Sequence, residues 1–247
     1  MTSSAPNWLR RLPEAARPFW RHGWTTKSGP EFLSPPTSPQ HTASIASLVA
    51  AAGLQEGAWV QQVHGGKVLR ATTAGYLGQA DALWTTEPGL GVIGRSADCP
   101  LVLVAGPNHW GFAHASWRST VAGITATLLR DMTAAGLNPS QARAVICPSA
   151  GPCCYEVGPE VQEAAVAQLG AGILDCFPAL GPRPAFDLWR ANRAVLAAAG
   201  LPAAQIYTTG ECTICGGDDY PSYRREQDQA GRFAALSGGP MQPKAAR

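Results

Sequence analysis

The chain has 247 residues, 45% of them hydrophobic and 15% charged, and a net charge of +2. That length suits one large domain, and so slight a charge excludes a basic nucleic-acid footprint or attraction to an anionic membrane. No apolar run reaches the roughly 18–20 residues of a membrane span, and Met1-Thr2-Ser3-Ser4-Ala5-Pro6-Asn7 lacks the apolar core of a signal peptide. Seven cysteines without an export signal read as cytosolic thiols or metal ligands, so a cytoplasmic protein is expected.

Residues 1–17 are basic and irregular and are expected to form an N-terminal arm, ahead of a domain over 18–237 and a disordered tail over 238–247. Gly23-Trp24-Thr25-Thr26-Lys27 has the β-branched and aromatic character of a first strand. Residues 29–40 hold four prolines and read as a loop, followed by a short helix from Ser44 to Ala52 closed by Gly53. Ala58–Val63 and Lys67–Arg70 flank His64-Gly65-Gly66, a pattern of strand, tight turn and strand. Further strands are expected at Ala82–Thr86, Gly91–Gly94, Leu101–Ala105 and Trp110–His114. A helix from about Thr120 to Ala135 comes next, with Ser119 or Thr120 as its N-cap. The second half alternates: a strand at Ala144–Cys147, helices at Pro159–Leu169 and Asp187–Gly200, and a strand at Gln205–Thr208. Strands and helices without strict βαβ alternation favour an α+β fold over a doubly wound sheet.

Three segments each offer one metal-binding side chain: His64 in Gln62-Val63-His64-Gly65, Cys99 in Ser96-Ala97-Asp98-Cys99-Pro100, and His114 in His114-Ala115-Ser116-Trp117-Arg118. Two histidines and a thiolate would leave the fourth tetrahedral position open, as in catalytic zinc sites. Cys99 lies 35 residues beyond His64 and 15 before His114, so the three can meet only through the fold. Each has an ordinary alternative: a turn histidine, a small buried thiol, a strand-end histidine. Arg118 stands at an expected helix start, where free backbone N–H groups favour anions and a guanidinium can grip phosphate; packing on Trp117 explains it equally well locally. Arg225, in Tyr223-Arg224-Arg225-Glu226, reads either as part of a solvated turn or as a second anion contact, with the solvated turn favoured locally. Cys212-Thr213-Ile214-Cys215 and the vicinal pair Cys153-Cys154 offer a competing structural-zinc or redox reading. A lone CxxC is weak evidence, and a vicinal pair is not a knuckle spacing.

Seven segments in order resemble the laccase-domain (YfiH-like) family of multifunctional purine nucleoside phosphorylases. They are His22–Lys27, Gln62–Gly65, Ala80–Leu83, Ser96–Cys99, His114–Arg118, Gly151–Gly158, and Ser222–Glu226 with Gly231-Arg232, and they span roughly residues 19–236. The resemblance implies a single α+β domain with mixed sheets packed between helices, a layered α/β/β/α sandwich. It implies His64, Cys99 and His114 as zinc ligands. It also implies phosphorolysis of adenosine, inosine and methylthioadenosine and deamination of adenosine, with purine nucleosides and phosphate as partners; a monomer or small homo-oligomer is expected. The family's older description as copper polyphenol oxidases fits poorly, because the sequence holds no histidine-rich copper set. Ser116 and Ser119 replace the glycines that usually flank the Trp-Arg pair, and Lys27 stands where arginine is more common.

On this reading Arg118, and secondarily Arg225, would support the phosphate. Asp98 would orient a ligand or handle a proton. A second reading makes Cys99 a nucleophile and His114 its base in an amidase acting on peptidoglycan precursors. A third retains the fold as a binding protein without turnover.

Overall fold

The computed structural model describes residues 6–13 and 19–241. Strands β1 (Leu9–Arg10) and β2 (Arg21–Thr25) precede helix α1 (Pro39–Ala52). A run of strands follows: β3 (Glu56–Gln61), β4 (Val68–Arg70), β5 (Gly75–Gln79), β6 (Ala82–Thr85), β7 (Leu90–Ser96), β8 (Leu101–Gly106) and β9 (His109–His114). Then come α2 (Trp117–Val121), α3 (Ile124–Ala134), β10 (Arg143–Ile146), α4 (Pro159–Leu169) and a small hairpin of β11 (Ala179–Leu180) and β12 (Arg183–Pro184). Helix α5 (Leu188–Ala198), β13 (Ile206–Thr208), α6 (Tyr223–Glu226) and β14 (Phe233–Gly238) complete the domain.

Two six-stranded sheets stack face to face, in the orders β1-β2-β14-β7-β3-β5 and β13-β10-β8-β9-β6-β4. Both are mixed: β3 runs parallel to β5 and β7, whereas β14 is antiparallel to β2 and β7. Trp20, Leu83, Val92, Leu101, Leu103, Phe112 and Phe233 fill the space between the sheets. Truncating a ring such as Phe112 to alanine would cost about 3–5 kcal/mol. Helix α1 covers the outer face of the first sheet through Ile45, Leu48 and Val49. On the outer face of the second sheet, α3 and α5 contribute Ile124, Leu128, Met132 and Leu196. The layers run α/β/β/α, as the family resemblance implied.

Several local expectations need correction. Helix α1 starts at Pro39, five residues before the expected Ser44, because Ser38 accepts the His41 amide as N-cap and Pro39 takes the first turn. Its C-cap Gly53 sits at φ 72 as expected of a closing glycine. The strands on either side of His64 do not form a hairpin: β3 belongs to the first sheet and β4 to the second. The helix expected over Thr120–Ala135 is two helices, broken at Gly123 (φ 71), and the first is capped by Ser116 rather than by Ser119 or Thr120. Part of the expected N-terminal arm joins the first sheet as β1, paired to β2 through Leu9 and Arg10. Residues 1–5 and 14–18 of the N-terminal region, and 242–247 of the expected disordered tail, lie outside the described residues. Among the described residues, no helix is long and apolar enough to cross a membrane.

Candidate metal centre and its cavity

Three turns carry the chain from the first sheet to the second: residues 62–67 after β3, 80–81 after β5, and 97–100 after β7. His64, Asp81 and Cys99 each occupy one of these crossings, and His114 ends β9 beside them. The topology therefore gathers residues far apart in sequence at one end of the sandwich.

Asp81 organises that end. Its buried carboxylate accepts the backbone N–H groups of Val63, His64 and Gly65 at 3.2, 2.9 and 2.7 Å. Its Oδ1 lies 2.9 Å from His114 Nδ1, and its carbonyl accepts the His114 amide at 2.7 Å. Burial opposes ionisation of Asp81, but the His114 hydrogen bond and the amide donors outweigh it and lower the pKa. An ionised carboxylate only accepts, so Nδ1 of His114 is the donor and Nε2 is left to bind a metal.

The donor atoms of His64, Cys99 and His114 all lie within 4.8 Å of one another. The two imidazole rings meet edge to face with centroids 5.0 Å apart. Burial raises the Cys99 thiol, yet the His114 and His64 rings beside it bring its pKa down to about 7. Burial depresses His114 in turn, but the Cys99 sulfur and Asp81 raise it to about 9. Both shifts run in the direction of a thiolate–imidazolium pair, and a bound cation would replace the His114 proton. Two imidazoles and one thiolate make a three-donor set, which on a four-coordinate metal would leave one position open.

Strained backbone surrounds these donors. His64 at φ 60 and Asp98 at φ 86 occupy the left-handed region that side-chain-bearing residues rarely adopt. Asp98 is held there on both sides: Thr213 Oγ1 donates to its Oδ1 at 2.6 Å, the Arg224 amide donates to its Oδ2 at 2.6 Å, and its carbonyl accepts the Ala150 amide.

The donors open onto a cavity of about 600 Å³, a size that accommodates small-molecule ligands. Four arginines line it, Arg95, Arg118, Arg224 and Arg232, against one carboxylate, Asp98. Arg95 donates to the carbonyls of Phe32 and Ser34, and Arg232 to those of Ala230 and Gly231. The Arg224 guanidinium leans on the Glu156 carbonyl and stacks 5.3 Å from the Tyr155 ring centroid. Arg118 lies 4.3 Å from the Trp117 ring centroid and is exposed. Both local readings of Arg118 therefore hold together: it packs on Trp117 and it faces the cavity. The helix start beside it offers less to an anion than expected, because α2 has five residues and Ser116 Oγ takes the Ser119 amide at 3.1 Å. Ser116 and Ser119, which replace the usual glycines, bond to each other through their hydroxyls at 2.8 Å and need no left-handed backbone.

Arg225 is placed elsewhere. Its guanidinium donates to the carbonyls of Thr213, Ile214, Gly217 and Tyr220 and pairs with Glu226 at 2.6 Å, and it does not line the cavity. The neighbouring Arg224 reaches the cavity instead. The sequence assigns no role to Asp81, Arg95, Arg232 or Tyr155, and within Tyr223–Glu226 it singles out Arg225 where the structure brings Arg224 to the cavity; the family-like segments containing Asp81, Tyr155, Arg224 and Arg232 are the signal for them.

Residues 38–238 match the family model described as multi-copper polyphenol oxidoreductase laccase. The chain belongs to this family. A purine nucleoside phosphorylase of Deinococcus radiodurans is 33% identical, over 94% of this chain and 93% of that protein. An adenosine deaminase, RL5, of an unknown prokaryotic organism is 38% identical, over 64% of this chain and 59% of that protein. The crystal structure of a Bacillus licheniformis hypothetical protein, YfiH, superposes with a TM-score of 0.79 at 27% identity, covering 89% of this chain and 92% of that one. The fold expected from the family resemblance is the fold observed.

Proposed function

We propose that this protein is a zinc-dependent purine nucleoside enzyme that phosphorolyses adenosine, inosine and methylthioadenosine to base and ribose 1-phosphate and deaminates adenosine. One observation carries this reading: a three-donor metal set opens directly onto a cavity lined by four arginines. A phosphate co-substrate needs such cationic walls, and a nucleoside needs the volume beside them. The names of the Deinococcus relative and of RL5 support the two activities.

His64, Cys99 and His114 would hold the ion, with Asp81 fixing both histidines. The donor set also suits copper, but copper electron-transfer sites are closed by a weak axial ligand such as methionine. Among the described residues no methionine lines this cavity, and Gln62, which does, has its amide oxygen and nitrogen engaged by the Arg95 backbone at 2.9 and 2.7 Å, which favours zinc. Bound zinc supplies a Lewis acid able to lower the pKa of water toward ~7, the chemistry that attack on C6 of adenine requires.

In phosphorolysis the phosphate attacks the anomeric carbon and the purine leaves. Arg118, exposed at the cavity, is positioned to close on the phosphate, while Arg224 and Arg232, anchored on carbonyls, form fixed positive walls. Burial, together with the negative charges of Cys99 and Asp98, raises the Tyr155 hydroxyl and keeps it a neutral donor, although Arg224 and Arg118 act the other way. Tyr223, 47% exposed at the rim, offers an aromatic face to a base. With both carboxylate oxygens engaged, Asp98 acts as a positioning residue.

A second reading has its own support. Cys99, His114 and Asp81 also have the geometry of a cysteine-nucleophile triad, with the thiol lowered and the imidazole oriented by an acid. Such a triad has no use for His64. Metal analysis separates the two readings: one tightly bound zinc per chain that is lost in Cys99→Ala supports the nucleoside enzyme. A protein with no metal at His64, Cys99 and His114 that turns over an amide through a thioester at Cys99 supports the hydrolase and overturns the first reading.

A further inference from the structure

A second sulfur cluster lies behind the cavity wall. Cys153 and Cys154 sit in the turn that follows Gly151-Pro152, and Cys212 and Cys215 frame the turn between β13 and α6. The four Sγ atoms lie within 4.8 Å of one another, and Cys153 and Cys215 approach to 3.5 Å. A tetrahedral zinc with Zn–S bonds of about 2.3 Å places its sulfurs about 3.8 Å apart, a spacing within the range found here.

The backbone around the cluster is built to hold it. Ser149 pairs with Cys212 in an isolated bridge, the Ser149 amide donates to the Glu211 carbonyl at 3.2 Å, and the Thr213 amide donates to the Ser149 carbonyl at 3.0 Å. The Gly216 amide closes the CxxC turn on the Cys212 carbonyl at 2.8 Å. A Cβ on Gly216 would stand 2.3 Å from that carbonyl oxygen, so the turn requires glycine directly after Cys215. The Gly151 amide also donates to Cys212 Sγ at 3.3 Å, a contact that favours a thiolate. Packing does not account for the cluster. Unpaired cysteines are usually buried as small hydrophobes, yet Cys153 and Cys215 are exposed.

We propose that Cys153, Cys154, Cys212 and Cys215 bind a second zinc ion with a structural role. Four thiolates complete the tetrahedron and leave no open position, so this ion holds structure and does not meet substrate. Binding would release the thiol protons and fix two loops to each other. One loop carries Tyr155 to the cavity. The other carries Thr213, whose hydroxyl holds Asp98 at 2.6 Å, and the carbonyls that anchor Arg225. The ion would thus fasten the wall against which the catalytic crossing is set.

The test is zinc counted per chain in the full-length protein, purified under reducing conditions and dialysed. Two ions are expected in the wild type and one in Cys99→Ser, the latter lost when Cys215→Ser is added. Cobalt loaded into Cys99→Ser should show the intense sulfur-to-metal charge-transfer absorption of a thiolate site, which the residual His64 and His114 cannot produce. Because Cys99→Ser leaves the four cysteines untouched, its count stands even where Cys215→Ser fails to fold. It also separates this proposal from the first metal centre, whose failure would remove one ion from the wild type and none from Cys99→Ser. No zinc in Cys99→Ser with four freely titrating thiols, or a Cys153–Cys215 disulfide in protein purified with zinc, would overturn the proposal.

Discussion

Asp81 Oδ1 stands 2.9 Å from His114 Nδ1, and the same carboxylate accepts the amides of His64 and Gly65. One buried acid therefore aims both imidazoles of the metal set, one through its ring and the other through its backbone.

Replacing Asp81 by asparagine should weaken zinc binding about 10–100-fold, the usual effect of losing the partner that orients a metal-bound histidine. The amide can present its nitrogen to His114 and favour the wrong tautomer. Competition with a chromophoric chelator measures the affinity. Unchanged affinity would mean that Asp81 supports only the turn.

Metal binding should depend on pH in a defined direction. His114, raised to about 9, carries a proton below that pH that a bound cation must expel, whereas Cys99, near 7, is already ionised above it. Between pH 7 and 9 about one proton should leave this site per zinc bound, so affinity rises with pH and levels off above about 9. Calorimetry on Cys215→Ser, in buffers of different ionisation enthalpy, counts the protons at this centre alone. No proton release at pH 8 would show that His114 is already neutral.

The two candidate anion-binding arginines should behave differently. Arg118→Gln should raise the KM for phosphate by an order of magnitude or more while leaving the folding stability within ~0.5 kcal/mol, as expected for an exposed side chain. Arg225→Gln removes donors from four carbonyls and should cost about 2 kcal/mol or more in denaturant unfolding. Steady-state kinetics and urea titration distinguish them. The reverse pattern would put Arg225 on the substrate.

Much of the fold was legible because apolar strand runs end where the sheets cross, which places His64, Cys99 and His114 at strand ends. Strand β14 was not legible. Ala234, Ala235, Ser237 and Gly238 carry little β-propensity, and they form a central strand because β2 and β7 pair with both edges while the inter-sheet core and the α1 cluster bury the two faces. Strand β5 was hidden by Gly75 and Gly78, both at positive φ. The role of Asp81 left no local trace, since its partners are amides 16–18 residues away and a ring 33 away. Arg224 and Arg225 adjoin on one short helix, and only tertiary packing decides which of them meets the cavity. Likewise Cys153-Cys154 and the CxxC are weak signals singly and become a cluster only through the Ser149–Cys212 bridge.

Acid stability offers a check away from the metal. Burial, aided by Arg95, lowers His41 to about 4, while a hydrogen bond to the Ser34 backbone acts weakly in the opposite sense. The unfolded chain binds this proton below its ordinary value of 6.5 and the folded chain does not. Stability from this residue is therefore lost as pH falls from about 6.5 toward 4, by up to about 3 kcal/mol. His41→Leu should flatten the decline of unfolding free energy across that window. An unchanged slope would mean that His41 titrates normally in the folded protein.

The central claim meets its most direct test in ³¹P spectra of the zinc-loaded protein incubated with inosine and inorganic phosphate. A ribose 1-phosphate signal that grows with time, and that is lost both in His64→Ala and after chelation, is the predicted result. No ribose 1-phosphate from protein that holds its zinc, or equal production by the metal-stripped protein, would contradict it.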